Sequence, residues 1–204
     1  MAERVIAYID GFNLYFGLKS KGWKRYYWLN LQKLALNLLK ANQNLGMTKY
    51  FTSRVSVPPS KVHRQGKFIE ALETLNHFNI YYGHYLSNPK TCRKCGNVEL
   101  VPSEKMTDVN IAVEMLTDAF EDKFDCAILI TADSDLIGPV KSVLRLFPQK
   151  KIVVAFPPDR FSFALKEAAS ASFTIGRKKI ADSVFPNEVK KKDGFILKKP
   201  ERWQ

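Results

Sequence analysis

The sequence predicts an α/β protein: a three-layer α/β/α sandwich with a mainly parallel central sheet. Three observations carry that expectation. Short segments rich in Val, Ile and Tyr alternate with segments of helical periodicity along most of the chain. One short segment, Cys126 to Thr131 (CAILIT), is apolar on both faces, as a strand inside a parallel sheet must be. A chain of 204 residues with 46% apolar content also suffices for one domain with a sizeable core.

The elements follow in order. Arg4 to Asp10 reads as a buried strand that stops at Gly11, and helical spacing runs from Leu14 to about Lys19, where Gly22 ends it. Trp23 to Trp28 forms an aromatic connector. Asn30 is placed to cap a helix over Leu31 to Ala41, with Leu31, Leu34, Ala35 and Leu38 on one face. Lys49 to Val57 is the second strand, and Pro58-Pro59 open a helix from Ser60 to about His77. Asn79 to Tyr85 is the third strand; the insert that follows, 86–103, is expected to be irregular. Thr107 to Phe120 is the clearest helix, with Val109, Ala112, Val113, Leu116 and Phe120 as its apolar stripe. After the CAILIT strand come a helix to about Phe147, a strand over Lys151 to Phe156, a helix over Ser162 to Ala171 and a short strand, Ser172 to Ile175. Residues 1–176 are read as the domain. Residues 177–204 are read as a basic tail, with nine Lys/Arg against four Asp/Glu, ordered in part at best.

Chain direction places four aspartates together. Ligands of parallel α/β sheets bind beyond the carboxyl ends of the strands. Asp10 ends the first strand, Asp133 and Asp135 follow the CAILIT strand, and Asp108 opens the helix that leads into that strand. All four are therefore expected at one edge. Such a group persists near neutral pH by taking up protons or cations, and oxygen ligands without histidine or thiolate favour Mg²⁺ or Mn²⁺. Each aspartate also has an ordinary role open to it: a turn at Asp10 or Asp133, a helix cap at Asp135, a helix-dipole partner at Asp108.

The charge balance points to the partner. Lys and Arg number 32 against 20 Asp and Glu, a formal net charge of +12, which favours a polyanion and nucleic acid above all. No apolar run approaches a membrane span and MAERVIAYID lacks an apolar leader core, so a soluble, cytoplasmic protein without a membrane role is expected. Three cysteines make a disulfide framework unsuited.

Three blocks then carry a family resemblance. YIDGFNLY (Tyr8 to Tyr15), KMTDVNIAVEML (Lys105 to Leu116) and ILITADSDL (Ile128 to Leu136) resemble, in order and spacing, the signature blocks of the NYN-domain family, in its LabA-like bacterial branch. That family belongs to the PIN-like nuclease superfamily. The resemblance implies a PIN-like, Rossmann-like fold with an acidic pocket for one or two Mg²⁺ or Mn²⁺ ions. It assigns metal-binding positions to Asp10, Asp108, Asp133 and Asp135, and a polar pocket position to Asn13. Ser162 matches a serine near the pocket, in the S-x-x-L pattern with Leu165, although Ala168-Ala169 replaces the usual Ala-Asp. The implied activity is hydrolysis of RNA phosphodiesters leaving a 5′-phosphate. Asp10, Asp108 and Asp133 would bind metal, and Asp135 a second ion or the attacking water.

Other features are read alongside. Lys61, Arg64 and Lys67 on one helix, and Lys105 beside the acidic residues, are candidate phosphate contacts; the first three equally suit a solvated helix face. The aromatics Trp23, Tyr26, Tyr27 and Trp28 suit core packing more than base stacking. Cys92 and Cys95 form half a zinc motif, with His84 and Cys126 as the residues that would have to complete it. A D-x-D pair typical of haloacid-dehalogenase-type phosphohydrolases is lacking, since Gly11 and Phe12 follow Asp10. The competing function is a catalytically silent module with the same fold that binds RNA or a protein.

Overall fold

The computed structural model describes residues 2–91 and 94–203, with the side chains of 85–88, 90 and 99–104 outside that description. Seven strands form the main sheet: β1 (Glu3–Asp10), β2 (Gln43–Ser53), β3 (Phe78–Thr91), β4 (Val98–Lys105), β5 (Cys126–Ile130), β6 (Lys151–Phe156) and β7 (Ala171–Thr174). Their order is β4-β3-β2-β1-β5-β6-β7. Every pairing is parallel except β3 with β4. The helices are α1 (Gly11–Ser20), α2 (Leu31–Leu38), α3 (Pro59–Leu72), α4 (Thr107–Phe120), α5 (Ile137–Leu146), α6 (Phe163–Ala168) and α7 (Arg177–Ala181).

Strand β1 shows why the layers number three. Its residues alternate between two cores: Val5 and Ile9 pack with Leu14, Trp28, Leu31 and Leu72, whereas Ile6 and Tyr8 pack with Ile111, Met115, Val140 and Leu165. Both faces of the sheet are thus covered by helices, and a period-2 strand has no face left for polar residues. The expected aromatic connector packs as core: Trp28 and Tyr26 are buried, and the Trp28 indole N–H donates to the Pro186 carbonyl at 2.8 Å. Asn30 caps α2 by accepting from the Lys33 N–H at 2.8 Å.

Four local expectations are corrected. The insert expected to be irregular pairs with itself as the antiparallel β3–β4 hairpin, with His84 opposite Lys105 and Thr91 opposite Val98. Its partner is the segment's own other half, so the pairing is set by register rather than by a hydrophobic run. Helix α4 turns the other way about its axis. Ile111, Met115 and Ala119 face inward, while Val109, Val113 and Phe120 are exposed. Both stripes keep helical spacing, and the inward one carries Asp118, whose carboxylate meets Lys49 of β2 at 2.5 Å and the Tyr8 hydroxyl at 2.6 Å. Strand β2 starts at Gln43 and ends at Ser53, and α3 ends at Leu72, short of His77.

The segment from Arg177 departs furthest from its expectation of partial order. It forms α7 and a two-stranded hairpin, β8 (Glu188–Lys190) with β9 (Ile196–Lys198). Ile180, Phe185, Val189 and Leu197 are buried in the first core, and the Trp203 ring lies 6.3 Å from Trp28 and 6.2 Å from Phe68. High charge hid a sparse apolar set that anchors the segment on the domain.

Candidate metal centre

The site lies where the parallel strands end. Strand β1 passes into α1 with no intervening loop, and the turn is tight. A side chain at Gly11 would meet the Phe51 carbonyl oxygen and the Tyr50 ring at 2.7 Å, so glycine alone fits. Asp10, at the turn, is 2% exposed and caps α1. Its Oδ1 accepts from the Asn13 backbone N–H at 3.0 Å; its Oδ2 accepts from Asn13 Nδ2 at 2.6 Å and from Thr131 Oγ1 at 2.9 Å. Burial pushes the Asp10 carboxyl above the usual carboxylate range. Hydrogen bonds from Asn13 and Thr131 oppose that rise, and the nearby charge of Asp133 adds to it.

Asp133 is placed by the end of β5. Its backbone N–H donates to Thr131 Oγ1 at 3.1 Å, and its Oδ1 accepts from the Asp135 N–H at 3.0 Å, capping the short 3-10 turn over Ser134–Leu136. Asp108 comes from the other side. The hairpin returns β4 to the sheet edge, Met106 takes a left-handed conformation (φ 75°), and α4 begins at once with Asp108 in its first turn.

Oxygens of Asp10, Asp108 and Asp133 all lie within 4.8 Å of one another. An octahedral ion with bonds near 2.1 Å keeps its ligand oxygens roughly 3–4 Å apart, so small rotations of these side chains would close them on one ion. Three hard oxygens, one of them buried beside a like charge, fit a divalent cation of the Mg²⁺ or Mn²⁺ type better than they fit water. Asp135 is not in this group: it is exposed, and its part in the observed network is its backbone N–H. Ordinary roles coexist with the cluster: Asp10, expected at a turn, caps α1, and Asp133 rather than Asp135 caps the 3-10 turn.

The structure adds one residue that sequence reasoning missed. Arg160, in the loop after β6, donates from Nε to Asn13 Oδ1 at 2.9 Å. Arg160 lies two residues before the Ser162 that was singled out, and a charged residue in a β-to-α loop at the site edge was the available signal. Ser162 itself caps α6, accepting from the Leu165 N–H at 3.3 Å. Lys105 is exposed at the end of β4, three residues before Asp108. On α3, Lys61 is exposed and Arg64 and Lys67 are half-buried. The zinc reading loses a ligand. Cys126 is buried where β5 enters the sheet, at the far end from the hairpin carrying exposed Cys95. Cys92 lies outside the described residues.

Sheet order, layers and strand-end carboxylates together define a PIN/Rossmann-like α/β/α sandwich with a clustered acidic site compatible with a metal-binding centre. Residues 4–176 match the NYN domain, and the chain belongs to that family. It is 26% identical over 189 residues to 6-hydroxy-3-succinoylpyridine 3-monooxygenase HspA of Pseudomonas putida (strain DSM 28022 / S16). That match takes in 76% of this chain and 59% of the relative, so the chain spans about three fifths of the relative's length. The crystal structure of VPA0982, a protein of unknown function from Vibrio parahaemolyticus RIMD 2210633, superposes with a TM-score of 0.55. It shares 16% identity, with 90% of this chain and 97% of that one covered; the likeness is one of fold. Among the described residues, no helix is long and apolar enough to cross a membrane.

Proposed function

We propose that this protein is a divalent-metal-dependent nuclease that hydrolyses RNA phosphodiesters. The observation that carries the reading is the convergence of Asp10, Asp108 and Asp133 within 4.8 Å. The family, the acidic site and a net charge of +12 together favour a phosphodiester substrate.

In this reading Asp10, Asp108 and Asp133 hold the ion. Bound there, Mg²⁺ or Mn²⁺ would neutralise phosphate charge and make water more acidic. Thr131 and Asn13 hold Asp10 in place through the hydrogen bonds described above. Asp135, exposed on the same loop, accepts the proton of the attacking water. The product carries a 5′-phosphate. Lys105 and Lys61, at or near the strand-end edge, contact the backbone of the bound strand, and Arg64, Lys67 and Ser162 extend that contact. The ring oxygenation named for the Pseudomonas relative belongs to a longer protein. Three carboxylates beside an arginine suit a phosphate ester better than a pyridine ring.

The test is cleavage of end-labelled single-stranded RNA, with DNA in parallel, under Mg²⁺, Mn²⁺ or a chelator. Cleavage that needs metal and is lost in Asp133→Asn is expected. Equal cleavage by wild type and Asp133→Asn would mark a contaminant and sink the proposal. Tight RNA binding without cleavage in any metal would identify the silent binding module.

A further inference from the structure

We infer that Arg160 forms a phosphate subsite at the rim of the acidic centre, taking a non-bridging oxygen pair of the bound strand. The inference rests on the metal-nuclease reading and names a residue for its substrate.

Arg160 is half-buried, and its orientation is set from one side. Asn13 presents its oxygen to Arg160 Nε at 2.9 Å and its Nδ2 to Asp10 at 2.6 Å. The Ala132 backbone N–H donates to the same Asn13 oxygen at 3.4 Å. One of the five guanidinium N–H donors is therefore used, and the planar fork is held beside the strand end that bears Asp133.

What Arg160 does not do is as informative. Arg160 reaches the acidic cluster only through Asn13, which bonds Asp10 in turn. Among the described residues, no carboxylate lies within 4.0 Å of its guanidinium, and its neighbour Asp159 pairs instead with Lys21 at 2.8 Å. The rim of the site thus carries a guanidinium with no ion-pair partner among the described residues. A surface depression lined by Ala132, Asp159, Arg160 and Phe161 opens beside it. A guanidinium fork facing such a space matches the geometry of phosphate oxygens, whereas a lysine would offer a point charge.

The same loop and the first residue of α6 supply apolar surface. Phe161 and Phe163 are 58% and 67% exposed, and the Phe161 ring leans on Phe156 with centroids 4.6 Å apart. A base attached to the Arg160-bound phosphate finds an aromatic face within the same loop. The ligand class is thus a nucleotide phosphate with its base.

The experiment uses the full chain loaded with Mn²⁺, with adenosine 5′-monophosphate and adenosine as probes in calorimetric titrations. Wild type is expected to bind the monophosphate about tenfold or more tighter than adenosine, the scale of a charge-assisted bidentate contact. Arg160→Gln should reduce that preference to about threefold or less with Mn²⁺ affinity unchanged, and Arg160→Lys should fall between, keeping charge but losing the fork. A wild type that binds both probes equally would overturn the subsite. So would an Arg160→Gln variant that loses Mn²⁺ affinity yet keeps the phosphate preference, which would make Arg160 a positioning residue for Asn13 and Asp10. RNA cleavage is scored separately. Its absence, with the phosphate preference intact in wild type and lost in Arg160→Gln, overturns the nuclease reading and supports the subsite.

Discussion

Thr131 Oγ1 donates to Asp10 Oδ2 at 2.9 Å, joining the ends of β5 and β1 across 121 residues of sequence. The same hydroxyl accepts from the Asp133 N–H at 3.1 Å, so it sets two of the three clustered aspartates at once. Thr131→Val keeps the shape and removes both hydrogen bonds. It should cost about 1–3 kcal/mol, since a buried carboxylate oxygen and a backbone N–H each lose a partner. Thr131→Ser should recover most of that loss. Thermal melts with and without Mn²⁺ check this; an unchanged melting temperature and an unchanged Mn²⁺ response in Thr131→Val would contradict it.

Like charges brought together for a cation should repel without one. Asp108→Asn and Asp133→Asn are therefore expected to raise the melting temperature in chelator and to abolish the increase that Mn²⁺ gives the wild type. Asp135→Asn, outside the group, should retain the Mn²⁺ increase. If both inner variants melt lower in chelator and still respond to Mn²⁺, the cluster is not a cation site.

Behind the sheet, Lys49 is buried between Glu114 at 2.7 Å and Asp118 at 2.5 Å. Burial opposes its charge, but the two carboxylates outweigh burial and raise its pKa. Lys49→Met leaves Asp118 buried without its closest cation and should cost about 3–5 kcal/mol in chemical denaturation. The double change Lys49→Met with Asp118→Leu should be less damaging than Lys49→Met alone. A single variant within about 1 kcal/mol of wild type would mean the pair is not the tie between β2 and α4.

At the opposite end of the sheet, Arg4 binds Asp125 through both its backbone N–H and its guanidinium, at 2.8 Å and 2.6 Å. The Arg4 side-chain hydrogen bonds, then the backbone one, hold the Asp125 carboxyl down at about 2. A depressed carboxylate stabilises the fold above its unfolded pKa, near 4, and loses that contribution as pH falls toward 2. The pair is solvent-exposed, so screening keeps its contribution small. Acid denaturation midpoints should rise, between pH 4 and 2, when Asp125 is replaced by Asn. No shift of midpoint would show the pair to be energetically silent.

The sequence revealed the sheet centre and the acidic residues because both are dictated locally. Cys126 to Ile130 is apolar on every face, and strand direction alone brings Asp10, Asp108 and Asp133 to one edge. What it concealed depended on partners far along the chain. The α4 stripe was ambiguous because two faces are apolar, and Lys49, 65 residues before Glu114, decides between them. Arg160 was hidden because only folding carries it to Asn13, 147 residues away. In the segment from Arg177, Ile180, Phe185 and Leu197 are too widely spaced to announce a core. They become one when Trp28 and Phe68 supply its other side.

The assembly of the three aspartates has a consequence in time. Asp10 and Asp133 meet only after β5 docks beside β1 in parallel, Val5 opposite Cys126 and Ile9 opposite Ile130. A parallel pairing of such sequence separation closes late, because the intervening chain must be ordered first. During synthesis the N-terminal third can fold its local helices while the acidic centre does not yet exist. The acidic cluster therefore cannot assemble until Asp133 has emerged, when well over half of the chain has been made.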